Sequence, residues 1–217
     1  MSQINKPSPS DKLTPAMMAQ KGWASRLAMW TTALILVESI TGLWLYLAPF
    51  SVTAQVQVLV HTLLGVGMTI PYIYYQVRHF LVWYRQKVTV MMILGYGLLV
   101  AMIACVVSGF VLTWQGYFGP KISETWDLVH LVSGIGALVL LVLHVVMAFQ
   151  RRRPVMKKTP SFSKAVSGFT RRSGAVVAGS MGIVIALAFA FAGRDMIHDV
   201  PDDYTIPDYL AEYDEYR

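Results

Sequence analysis

The chain has 217 residues, of which 55% are hydrophobic and only 14% are charged, with a formal net charge of +6 and a mean hydropathy of +0.51. A soluble globular domain carries about 25% charged residues, so this composition excludes an ordinary soluble enzyme, a disordered chain and a disulfide-rich scaffold. The single cysteine, Cys105, excludes an internal disulfide and a cysteine-only metal site. The sequence contains no CxxCH motif, which excludes covalent c-type haem attachment.

Five stretches are long and apolar enough to cross a bilayer, which takes about 20 mostly apolar residues per helix. In chain order these stretches are Leu27–Pro49, Val56–Phe80, Val88–Trp114, Trp126–Phe149 and Ser173–Ala192. The sequence therefore predicts an all-α integral membrane protein. Its core would be a four-helix bundle over residues 26–150, followed by a fifth transmembrane helix over residues 173–193.

Basic residues are concentrated on one side of these spans. Residues 151–172 contain eight Lys and Arg and no acid, whereas residues 194–217 contain eight acids. Because cytoplasmic segments are enriched in Lys and Arg, residues 1–25 are predicted to be a cytoplasmic polar tail and residues 151–172 a basic cytoplasmic loop. Residues 194–217 are then an acidic external tail. This predicts a multi-pass protein of the inner (cytoplasmic) membrane, with its N-terminus in the cytoplasm and its C-terminus outside.

The charged segments also indicate which partners to expect. We interpret the basic segment as an orientation signal that contacts anionic membrane lipid, with a dock for a cytoplasmic partner as the alternative. Nucleic acid is not an expected partner, because the charge lies against a membrane without an accompanying nucleic-acid-binding fold. The acidic segment also contains four tyrosines, and it is either a solvated tail or a strap onto an external subunit.

Four histidines lie inside the second and fourth spans, where ionisable residues are costly and usually functional. The 18 residues from His61 to His79 and the 14 residues from His130 to His144 return to about the same helix face, with rises of about 27 Å and 21 Å. Two facing helices would thus form an outer pair, His61 with His130, and an inner pair, His79 with His144. Two neutral imidazoles fill both axial positions of a haem iron, and a porphyrin fits between the helices of a bundle. The histidines therefore favour an electron carrier.

A repeated motif accompanies the outer histidines. Both are followed by the pattern HxxxGxG, and an [ST]GxxL motif precedes each of them in the previous span. Gly65 and Gly134 lie one turn from the histidines on the same face, and we interpret them as leaving room for a porphyrin. Close helix packing through small residues is the alternative. The repeat predicts two related helix pairs.

The inner pair departs from this repeat. If the second helix pair is aligned with the first, the partner of His144 is Tyr75 rather than His79, and these two positions are separated by about 6 Å along the helix. A kink at Pro71, tilt or a vertical offset would absorb the difference; the alternative is a single outer haem and an interfacial His79. Arg78 is interpreted either as a partner for haem propionates or as flanking charge. Glu38, in the first span, is either a proton acceptor in quinone chemistry or a hydrogen-bonded structural group.

These motifs resemble the membrane di-haem cytochrome b superfamily, the quinone-linked four-helix b-type subunits of formate dehydrogenases, hydrogenases and bc-type complexes. The resemblance covers residues 25–150. It rests on the spacing of His130 and His144, the glycines near them and the stretch SGFVLTW that begins at Ser108. His61 matches the first ligand of the other helix, and His79 is the less regular match.

The resemblance implies that the four histidines ligate two non-covalent haem b groups. It also implies that the chain is an electron-transfer subunit of a larger respiratory-chain oxidoreductase, with quinone as a substrate in the bilayer. Because electrons that leave the outer haem need an acceptor, an external multihaem cytochrome c is the partner hypothesis. The alternative is a haem-free membrane scaffold, or a small transporter whose histidines handle protons or a transition metal.

Overall fold

The computed structural model describes residues 14–49, 51–119 and 121–193. Within these ranges the chain forms six helices and no strand: α1 (Pro15–Ala24), α2 (Arg26–Leu47), α3 (Val52–Trp83), α4 (Val90–Phe118), α5 (Glu124–Lys158) and α6 (Pro160–Phe191). Helices α2 to α6 are long and apolar enough to cross a membrane. For the described residues, the predicted all-α class is therefore confirmed, and so is the prediction of five helices with the length and hydropathy of membrane spans. The predictions for residues 1–13 and for the acidic tail lie outside the described residues.

Hydroxyl side chains define where the first three spanning helices begin. Ser25, Ser51 and Thr89 each accept a hydrogen bond from the backbone N–H three residues further on, at 3.2, 3.2 and 3.4 Å. Such caps satisfy N–H groups that lack a partner within the helix.

The four helices that follow α1 form a bundle of two helix pairs. Helices α2 and α3 pack together, as do α4 and α5. The bundle closes through contacts of α2 with α5 and of α3 with α4, whereas α3 and α5 are not among the closely packed helix pairs. An apolar layer contributed by all four helices fills the middle of the bundle: Ile35, Met68, Tyr72, Met102, Ala137 and Leu141.

The basic segment over residues 151–172 is helical, which corrects the prediction of a loop. Helix α5 continues to Lys158, and only Thr159 separates it from α6. Apolar side chains at helical spacing explain the difference: Phe162 and Val166 of α6 are buried and pack against Trp23 of α1. Helix α1 itself lies within the residues predicted to be a polar tail. Both segments contain many charged residues, and for this reason the apolar helix face that each of them carries was not recognised from the sequence.

Helix α6 packs on the outside of the bundle, mainly along α2, with further contacts to α1, α3 and α5. Near its start, the Phe169 ring meets the Trp23 ring edge-on at a centroid distance of 5.0 Å. The same cluster includes Ala28 and Met29 of α2 and Tyr75 of α3. Helices α1 and α6 therefore brace the bundle at the level of Tyr75.

Candidate functional site

The structure brings the four histidines of α3 and α5 together in two pairs. The ring centroids of His61 and His130 lie 6.2 Å apart with the planes at 83°, and those of His79 and His144 lie 6.3 Å apart with the planes at 72°. Two imidazoles that bind one metal ion from opposite sides have centroids about 6 Å apart, because each metal–nitrogen bond is about 2 Å and each ring adds its own radius. The spacing within each pair would therefore allow both imidazoles to bind one metal ion.

Backbone carbonyls of α4 lie beside Nδ1 of both α5 histidines. The Cys105 carbonyl oxygen is 2.9 Å from Nδ1 of His130, and the Met91 carbonyl oxygen is 3.2 Å from Nδ1 of His144. Because a carbonyl oxygen can only accept, each Nδ1 carries the proton and donates it, and Nε2 keeps the lone pair that a metal needs. Helix α4 thus sets the tautomer of both rings.

Helix α2 holds His61 through side chains instead. Glu38 Oε2 and Thr41 Oγ1 each lie 3.0 Å from Nδ1 of His61. The Thr41 hydroxyl donates its hydrogen to the backbone carbonyl oxygen of Glu38 at 3.1 Å. The hydroxyl oxygen therefore presents a lone pair to the imidazole. In this arrangement too, Nδ1 of His61 is the donor and Nε2 is left for a metal.

The same hydroxyl contact recurs in the second helix pair. Ser108 Oγ lies 3.2 Å from Nδ1 of His130 and donates to carbonyl oxygens of its own helix. Thr41 and Ser108 both have no exposed surface, and they are the first residues of the two [ST]GxxL motifs. The repeated sequence motif thus corresponds to a repeated contact in the structure, in which a hydroxyl lies beside an imidazole.

Three of the imidazoles pack directly on the backbone of a neighbouring helix. A Cβ atom at Gly42 would lie 3.2 Å from Cε1 of His61. One at Gly109 would lie 3.1 Å from Cε1 of His130, and one at Gly95 would lie 3.3 Å from Cε1 of His144. These distances are tighter than ordinary carbon contacts of about 3.5–4.0 Å. Glycine therefore lets the helix approach the edge of the ring.

The glycines of the HxxxGxG motifs have different neighbours. A Cβ atom at Gly65 would lie 3.4 Å from Glu38 Oε2, and one at Gly134 would lie 3.7 Å from the Cys105 sulfur. At the second glycine of each motif, Gly67 or Gly136, a Cβ atom would have no neighbour within 4 Å. The interpretation of Gly65 and Gly134 as porphyrin space stays a prediction.

His79 is held from its own helix. The Tyr75 hydroxyl lies 3.4 Å from Nδ1 of His79, and the two rings stack with centroids 5.4 Å apart. Tyr75 is the residue that the sequence repeat predicts as the partner of His144. The adjacent Arg78 is exposed, and its guanidinium donates to the Tyr74 hydroxyl at 3.0 Å.

Sequence reasoning missed most of the groups that hold the imidazoles. Thr41, Ser108, Gly42 and Gly109 belong to the recognised repeat, but their contacts with the rings follow only from the packing of the helices. The Met91 carbonyl and Gly95 had no signal in the sequence, because neither forms part of a repeated motif.

In the part of the chain that the structure describes, no group of three or more His, Cys, Asp and Glu side chains could hold a metal ion. Each histidine pair provides two ligands, which suits a metal whose other four positions are filled by a porphyrin better than a bare ion with four protein ligands. Comparisons with protein-family models, curated proteins and solved structures gave no match.

Proposed function

We propose that the chain is a membrane b-type cytochrome subunit that passes electrons between the quinone pool and an external redox partner. The observation that carries the proposal is the pairing of His61 with His130 and of His79 with His144 at ring distances of 6.2 and 6.3 Å. An edge-to-face contact between aromatic rings covers similar distances. Simple ring packing, however, does not explain why Nδ1 of each imidazole lies beside a hydrogen-bonding group. It also does not explain why a glycine lies against three of the four rings.

Each histidine pair would hold one non-covalent haem b. Held by two imidazoles, each haem would supply reversible one-electron chemistry. Arg78 lies next to His79 and is exposed, and it is the proposed partner for a propionate at that level. The resemblance to di-haem cytochromes b supports the same reading of the four histidines.

The protein's own contribution is to fix the positions of the two sites and keep water from the space between them. From His130 to His144, helix α5 rises about 21 Å, which is most of the hydrocarbon core of about 30 Å. The apolar layer that includes Met68, Met102 and Leu141 lies between the two pairs. Two sites at two depths would let an electron cross the bilayer in shorter steps.

The distribution of charge supports an orientation in the cytoplasmic membrane. The basic ends of α5 and α6, with no acid in residues 151–172, would face the cytoplasm and anionic lipid. The His61–His130 pair then lies near the outer surface, on the side of the acidic C-terminal segment. We propose that the chain is the electron-transfer subunit of a larger redox complex, with a multihaem cytochrome c as a candidate external partner.

A reduced-minus-oxidised absorption spectrum and the haem-to-polypeptide ratio of the purified protein test the proposal. We expect a bis-imidazole b-type spectrum and two haems per chain. His130→Ala and His144→Ala should each remove one haem, whereas the control His198→Ala, outside the described residues, should remove none. A protein without porphyrin absorption after expression in haem-replete cells contradicts the proposal and favours the haem-free scaffold or transporter.

A further inference from the structure

One carboxylate lies inside the bundle. Among the described residues the acids are Glu38, Glu124 and Asp127, and the last two lie in the first turn of α5. The Glu38 side chain is only 12% exposed, and its Oε2 lies 3.0 Å from Nδ1 of His61. Its other oxygen, Oε1, is buried without a hydrogen-bond partner within the described ranges. A buried and partly unpaired carboxylate costs folding free energy, so fold stability alone does not explain its presence.

The sequence repeat supplies an internal comparison for Glu38. Glu38 precedes Gly42 by four residues, and Cys105 precedes Gly109 by four residues, so the two residues are equivalent. The acceptor beside His130 is a neutral carbonyl oxygen at 2.9 Å, with the Cys105 sulfur at 3.8 Å from the same Nδ1.

The acceptors at the other pair are neutral as well. His144 faces the Met91 carbonyl oxygen, and His79 faces the Tyr75 hydroxyl. In the described part of the chain, His61 is thus the one imidazole of the four whose Nδ1 lies within 3.0 Å of a side-chain carboxylate.

Space for this carboxylate comes from the histidine's own helix. A Cβ atom at Gly65 would lie 3.4 Å from Glu38 Oε2, so the carboxylate packs against the glycine that follows His61 by one turn. Thr41 occupies the other approach to Nδ1, with its hydroxyl at 3.0 Å. The side chain of Glu38 is therefore confined between α2 and α3, with one oxygen directed at the imidazole.

We infer that Glu38 is a positioning residue that acts through the His61 ring to lower the reduction potential of a haem held by His61 and His130. This inference rests on the proposed function. A carboxylate that accepts the Nδ1 hydrogen bond makes the imidazole a stronger donor through Nε2, and stronger donation stabilises the oxidised iron. The negative charge acts in the same direction by Coulomb attraction, which is stronger in the apolar interior than in water. Hydrogen bonding around the ligands and burial are known determinants of haem potential.

Redox titration of Glu38→Gln in a His144→Ala background tests the inference, because only the haem of the His61–His130 pair remains there. Glutamine keeps the size of the side chain and an acceptor oxygen but removes the charge. We expect unchanged haem content and a rise in the reduction potential of at least about 59 mV, which for one electron is a tenfold shift of the equilibrium towards the reduced haem. The matched control is Thr41→Val, which removes a neutral hydroxyl from the same Nδ1 and should give a smaller shift.

A charge transposition provides the second variant. Adding Cys105→Glu to Glu38→Gln puts the carboxylate at the equivalent position beside His130 and should bring the potential back down. A parent protein that binds haem, but whose potential Glu38→Gln leaves unchanged, contradicts this inference and leaves the proposed function intact. Loss of haem in Glu38→Gln also overturns it, because Glu38 would then be required for the structure of the site. A wild-type protein without haem contradicts both.

Discussion

The backbone carbonyl oxygen of Cys105 lies 2.9 Å from Nδ1 of His130. The histidine belongs to α5 and the acceptor to α4, and the same division of roles links His61 of α3 to Thr41 of α2. Helix α4 therefore orients both imidazoles of α5, and helix α2 orients His61 of α3, whereas the contact at Nδ1 of His79 comes from Tyr75 of its own helix. Substitutions in α2 and α4 should change the candidate sites although these helices carry none of the four histidines.

The glycines beneath the rings provide the first prediction. Gly109→Ala introduces a Cβ atom 3.1 Å from Cε1 of His130, which must displace the ring. We expect lower haem occupancy at that pair, together with a loss of stability of about 1–3 kcal/mol from overpacking. Haem content per chain and thermal unfolding in detergent measure the two effects.

The matched control for Gly109→Ala is Gly136→Ala, where the added Cβ atom has no neighbour within 4 Å. This variant should keep wild-type haem content and should not lower the thermal midpoint. Equal haem loss in both variants would indicate that general helix packing, rather than contact with the ring, accounts for the effect.

The second prediction concerns His79 and Tyr75. The rings stack at 5.4 Å, with the Tyr75 hydroxyl 3.4 Å from Nδ1 of His79. We expect His79→Ala to lose one haem per chain. Tyr75→Phe, which keeps the stacked ring, should retain both haems and change only the spectrum or potential of one. If Tyr75→Phe loses a haem and His79→Ala does not, Tyr75 rather than His79 holds the cofactor.

The third prediction concerns the support that α1 and α6 give to the bundle. The Phe169 side chain is 9% exposed and meets Trp23 edge-on. Phe169→Ala should lower the free energy of unfolding by about 3–5 kcal/mol, because it leaves a cavity beside Trp23. The matched control is Phe189→Ala on the same helix, where the ring is 78% exposed and the loss should be much smaller. Chemical denaturation in detergent compares the two variants.

The fourth prediction tests the orientation in the membrane. In a Cys105→Ser background, a single cysteine at Lys158 places a thiol at the last residue of α5, and one at Lys121 places a thiol three residues before α5 begins. Both positions are exposed. A membrane-impermeant thiol reagent added to intact spheroplasts should label Lys121→Cys and spare Lys158→Cys until the membrane is opened. The reverse pattern would place the basic ends of α5 and α6 outside the cytoplasm.

The five spans and the faces of the histidines were predictable because both depend on fixed periods. A bilayer core of about 30 Å requires about 20 apolar residues in a helix, and 3.6 residues per turn puts His130 and His144 on one side of α5. The limits of the spans were less accurate: α5 ends at Lys158 rather than at Phe149. Hydropathy identifies the membrane segment of a helix, whereas caps and tertiary packing determine where the helix ends.

The sequence by itself determined the membrane class, the number of spans and the repeat around His61 and His130, because apolar length, helical period and motif spacing are local properties. Only the tertiary structure decided what holds each imidazole. The acceptors at His130 and His144 are backbone carbonyls, which every residue possesses and no motif marks. The role of Gly95 and the partnership of Tyr75 with His79 likewise follow from how closely the helices pack. Packing distances depend on contacts between helices that are far apart in the chain.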